Sequence, residues 1–93
     1  MSDESQQVEL LDLDIESILS FVIGLTSTKA VQYLGVPVIE AKKAEKDLKR
    51  AQLSIDTTSF LVDKLEPYVD EEEIMQLKQV VSNLQFAYLR ESN

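Results

Sequence analysis

The sequence predicts an all-α fold, a three-helix antiparallel bundle, and three observations carry that expectation. Apolar residues recur at spacings of three and four over most of the chain, as on one face of a helix. Only Val36 to Ile39 could pass for a strand. The two firm breaks, Gly35 with Pro37 and then Pro67, cut the chain into helix-length pieces.

Residues 1–11 are polar and acidic and read as a flexible arm, with Val8, Leu10 and Leu11 as the groups able to dock; residues 12–93 read as a single helical domain. The first helix is expected from an N-cap at Asp12 or Asp14 to Leu34, stopped by Gly35 with Pro37 beyond it. A short connection leads to a second helix from near Glu40 to Leu65, ended by Pro67, which cannot continue a helical ladder. Asp70 then offers an N-cap with Glu73 three residues on, a capping-box pattern, and a third helix follows from Glu71 to about Arg90. Glu71, Glu72 and Glu73 suit the positive end of its dipole.

On the second helix Ala44, Leu48, Ala51, Ile55, Thr58, Val62 and Leu65 form a narrow stripe. Ile74, Leu77, Val81, Leu84 and Tyr88 repeat it on the third, so the long second and third helices are expected to form a hairpin. The first helix is apolar almost all round and is expected to be covered on several sides, apart from a strip of Ser17, Ser20, Gly24, Ser27 and Thr28.

Some apolar residues fall off these stripes. Leu53 and Phe60 stack seven apart on the far side of the second helix, and Met75, Phe86 and Leu89 lie off the seam of the third. These five are the candidate protein-interface residues. With the arm set aside about 80 residues remain, near the size at which one core supplies only a few kcal/mol. The bundle is therefore expected to be dimerised, most simply as a two-fold homodimer, with a further protein as a possible partner.

Composition narrows the chemistry. The 93 residues include no Cys, His or Trp, which removes thiol nucleophiles, the commonest general base and most transition-metal ligands. Two glycines are too few for a phosphate-binding loop. Asp70 to Glu73 lack the alternating oxygens and turn glycine of a calcium loop. No catalytic residue, metal site or cofactor is expected, and the protein reads as a non-enzyme.

Seventeen acidic against nine basic residues give a net charge of −8, which disfavours broad attraction to nucleic acid or anionic lipid. The one basic cluster is Lys42, Lys43, Lys46, Lys49 and Arg50 at the start of the second helix. It is the candidate anion contact for a nucleic acid or phosphorylated ligand. The competing reading is a solvated face that pairs within the chain, the acidic arm being one partner. The opening residues lack a signal-peptide pattern, and Ile15 to Leu25 is too short and too polar to span a bilayer, so a cytoplasmic protein off the membrane is expected.

The run Phe21 to Leu25, Ala30-Val31, Leu34-Gly35 and Pro37, then Asp47-Leu48, Ala51, Ile55-Asp56, Leu61 and Leu65, the acidic Asp70 to Glu73, and Leu84 with Tyr88 resembles a known pattern. It is that of the small bacterial family of domain of unknown function 1844, over about residues 15 to 90. The chain departs from it at Val38 to Glu40, where a second proline is common, and at Pro67-Tyr68-Val69, where a Thr-Gly-Asn-like turn is usual. The resemblance implies a small helical bacterial cytoplasmic protein and carries over no catalytic or ligand residue.

Overall fold

A computed structural model describes residues 9–36 and 45–93. Three helices dominate it: α1 (Ile15–Tyr33), α2 (Leu48–Leu65) and α3 (Glu71–Ser92), with one 3-10 turn, Glu66–Tyr68, joining α2 to α3. Neighbouring helices run antiparallel. Of the sequence-defined arm, residues 1–8 lie outside the described residues, while Glu9–Leu11 form a single helical turn ahead of α1.

The end of α1 follows from Gly35. Its φ of 98° is a left-handed conformation that a side chain disfavours. In that geometry the Gly35 N–H donates to the Gln32 carbonyl at 2.9 Å and the Val36 N–H to the Val31 carbonyl at 3.2 Å, the paired bonds of a Schellman stop. At the start of α3, the Asp70 carboxylate accepts from the Glu73 N–H at 2.8 Å, as the capping pattern predicts.

α2 begins later than its periodicity indicates. Instead of starting near Glu40, the described part is non-helical over Glu45–Asp47, and the helix opens at Leu48; residues 37–44 lie outside the described residues. The cause is Asp47, which is extended at φ −144° and accepts from the Arg50 N–H through its carboxylate. Its own N–H donates to the Tyr33 carbonyl at 2.8 Å, tying the start of α2 to the end of α1.

α2 is the central helix. Both others pack on it, α1 more extensively than α3, and α1 and α3 meet over only a short stretch. The hairpin of second and third helices is therefore present, but the closer pairing is between the first and second. Ile23, Val62, Leu65, Ile74 and Val81 form one core cluster, and Ala30, Leu34, Ala51, Ile55 and Leu84 form the other. Between them Thr58 is fully buried, its hydroxyl 2.7 Å from both the Thr26 hydroxyl and the Ser54 carbonyl. Thr26 also has the Ile23 carbonyl within 3.2 Å, so the two hydroxyl protons have acceptors without any buried polar atom being stranded.

The extents are 43 × 36 × 20 Å, so the thin direction holds only about two helix diameters of about 10 Å. Among the described residues, helices in so flat a body each keep an outer side without a second helix above it. Among the described residues this differs from the expectation that α1 is covered on several sides: within it only Ile23 and Ala30 are buried, and α2 is its most extensive neighbour. Among the described residues no helix is long and apolar enough to cross a membrane.

Candidate interaction surface

The core closes on small and aliphatic side chains, and no aromatic ring is among its buried residues. All three phenylalanines of the chain lie outside it: Phe21 is 58%, Phe60 59% and Phe86 65% exposed. An isolated exposed apolar residue is ordinary, so the question is whether these residues gather.

Two of the exposed apolar residues share a groove. On α2 the buried stripe of Ala51, Ile55, Thr58, Val62 and Leu65 leaves Leu53 and Phe60 on the opposite side of the helix. Leu53 shares a groove of about 350 Å³ with Leu25 of α1, flanked by Lys29, Tyr33 and Arg50 and floored by Thr26 and Thr57. The antiparallel register that brings Thr26 to Thr58 sets Phe21 beside the Phe60 end of α2. Leu25 and Leu53 thus share one groove of the α1–α2 pair, and Phe21 and Phe60 on the same two helices are likewise more than half exposed.

On α3, Met75, Phe86 and Leu89 are also more than half exposed, Met75 among Glu71, Glu72, Gln76 and Gln79 and well removed along the helix from the other two. Leu89 lines the groove between α2 and α3 together with Gln52, Ile55, Asp56, Gln85 and Tyr88. Of the five residues singled out in the sequence, Leu53 shares a groove with α1, Leu89 lines the α2–α3 groove, and all five are exposed. Phe21 and Leu25 are the members that sequence reasoning missed, since on a helix apolar all round the pattern does not indicate which side its neighbour covers.

Charged groups of both signs border Leu53: Lys29 and Arg50 line its groove with α1, and Asp47, Lys49 and Asp56 line the adjoining depression. The Lys29 ammonium lies 4.8 Å from the centre of the Tyr33 ring and that of Lys64 lies 5.4 Å from the centre of the Phe60 ring. Neither forms an ion pair among the described residues, where the three pairs are Lys46–Glu91, Arg50–Asp47 and Lys78–Glu66.

Three of the five residues of the basic cluster, Lys46, Lys49 and Arg50, are described. Lys42 and Lys43 lie outside the described residues. Lys46 precedes α2 and meets Glu91 at 2.7 Å, while Arg50 turns back to Asp47 at 2.8 Å. The Arg50 N–H and guanidinium hold the Asp47 carboxyl below its usual range, and Lys46 does the same for Glu91. Lys49 is exposed. No group of three or more carboxylates that could hold a metal ion occurs among the described residues.

With this geometry in place, comparison with known proteins gives one result. A family model described as Domain of unknown function (DUF1844) matches residues 16–90. No curated protein and no solved structure matches the chain.

Proposed function

The chain belongs to the family described as Domain of unknown function (DUF1844), and since that description assigns no activity we propose a function from the surface: a non-enzymatic, homo-oligomeric protein-interaction module. The observation that carries this reading is the placement of every phenylalanine outside a core that closes without them. Aromatic side chains are the largest apolar groups available and dominate interface energetics when desolvated. Leaving three of them in water contributes nothing to the monomer; covering them on association contributes a great deal.

The alternative, an accessory nucleic-acid or phosphorylated-ligand protein, has less support. Lys46 and Arg50 already hold carboxylates, and the net charge of −8 opposes a polyanion.

Sedimentation velocity over a concentration series tests the proposal on the full chain. The wild type is expected to sediment as more than one chain, and Leu53→Glu with Phe60→Glu to sediment as a single chain of unchanged helicity. A wild-type mass of one chain at every concentration would contradict self-association.

A further inference from the structure

We infer that a second copy of this chain packs antiparallel on the outer side of α1, with Phe21 of each copy seated in the gap at Gly24 of the other. The inference rests on the self-association read above and names the helix through which it occurs. Ser17, Phe21, Gly24 and Thr28 are spaced four, three and four residues apart, and all four are exposed, as is Leu25 beside them. That spacing makes one seam along α1, of the kind by which two helices interlock.

Charge selects this seam and its direction. Two copies of a chain of net charge −8 repel each other, least where neither presents a charge. From Ser17 to Thr28 α1 has no charged residue, whereas Leu53 and Phe60 on α2 stand among Lys49, Asp56, Asp63 and Lys64. The run is bounded by groups of opposite sign, Asp14 and Glu16 at its start and Lys29 at its end. The Asp14 carboxylate caps no N–H, Lys29 has no ion pair among the described residues, and Arg50, the other cation beside Leu25, is held by Asp47. Antiparallel packing therefore brings the acidic start of each α1 to the lysine end of the other, and parallel packing would set like charges together. The uncharged run of α3, Gln79 to Leu89, lacks both properties. Lys78 and Arg90 bound it with the same sign, and it exposes the amides of Gln79 and Asn83, which burial would leave short of partners.

Shape completes the match. A methyl added at Gly24 would meet nothing within 4 Å, so open space lies there, three residues from the half-exposed Phe21 ring. The register that fills this space with Phe21 of the second copy also sets Ser17 against Thr28, small against small. The Ser27 and Thr28 hydroxyls already have the Gly24 carbonyl within 3.1 and 2.8 Å, so covering them strands no donor. A two-fold axis near Val22 and Ile23 repeats each contact once and closes the assembly.

The chain has no cysteine, so introduced thiols report the register against a clean background. Full-length Ser17→Cys and Thr28→Cys proteins are mixed and oxidised at a concentration where the wild type associates. A disulfide between position 17 of one chain and position 28 of the other is expected in the mixture. Either variant alone should cross-link little, because each position would lie about 16 Å along the axis from its own counterpart. Efficient cross-linking of each variant with itself, or none in the mixture, would overturn the inference. Solution mass separates the two failures: a wild-type dimer without the bridge leaves the interaction reading standing, and a chain that never associates removes both. Gly24→Leu gives a second arm, since its side chain enters open space in the single chain and the Phe21 gap in the pair. Its helicity is expected to match the wild type and its self-association to weaken by about tenfold or more. A folded Gly24→Leu protein that associates as the wild type does would equally overturn the inference.

Discussion

The two sides of α2 are built from opposite materials. Toward the core it presents Ala51, Ile55, Thr58, Val62 and Leu65, all nearly or wholly inaccessible, with Ala51 and Ala30 letting α1 approach closely. Outward, on the same turns, it presents Leu53 and Phe60 in contact with solvent. The bulkiest apolar groups have been kept out of the place where they would stabilise the monomer most. Stability and association thus reside on different faces of one helix, and a substitution should disturb one without the other.

The inner side should give the largest effect on folding. Leu65 is completely buried, and Leu65→Ala is expected to cost about 2–5 kcal/mol in chemical denaturation through lost transfer energy and the cavity left behind. A loss no larger than that of an outer-face variant would erase the contrast between the sides.

The two glycines sharpen it next, because they should respond with opposite sign. Gly35→Ala places a side chain at φ 98° and is expected to cost about 1–2 kcal/mol. At Gly24 an added methyl would meet nothing within 4 Å, so Gly24→Ala is expected to raise stability by about 0.5–1 kcal/mol through helix propensity. Thermal unfolding at low protein concentration measures both. Destabilisation by Gly24→Ala that appears only at concentrations where the chain associates would place a second helix against that strip.

The smallest effect concerns the cap that starts α2. The Asp47 carboxyl is held below the usual value of 3.8 chiefly by the Arg50 N–H and guanidinium. A depressed folded-state pKa contributes stability that is present above the unfolded value and is lost as the pH falls through the folded one. The protection of the Arg50 amide, taken relative to its intrinsic exchange rate at each pH, is therefore expected to fall on acidification below about pH 4. Asp47→Asn, whose cap is neutral, should lose that dependence; an identical profile in the variant would assign the acid response to another carboxylate.

Much of this was legible in the sequence where the chemistry is local. Gly35, and Asp70 with Glu73, marked helix ends because a left-handed residue and a side-chain cap act within a few positions. The start of α2 was hidden because Asp47 is one of several polar residues there, and its extended backbone is fixed partly by the Tyr33 carbonyl, fourteen positions away. On the surface, Leu53 and Phe60 could be found because a narrow stripe defines its own reverse side. Phe21 and Leu25 could not, since α1 is apolar around most of its circumference and only the fold decides which part its neighbour covers. The pairing of Lys46 depended likewise on Glu91, at the far end of the chain.

The central claim is that the phenylalanines lie outside the fold and are covered by association. With three phenylalanines in the chain, fluorine NMR of 4-fluorophenylalanine-labelled protein gives three signals, and the shift of each between H2O and D2O reports contact with water. In dilute solution all three are expected to show most of the shift of the free amino acid, and on concentration Phe21 and Phe60 are expected to lose it. A folded, dilute protein in which those two signals are already insensitive to D2O would contradict the account, because their rings would then belong to the core.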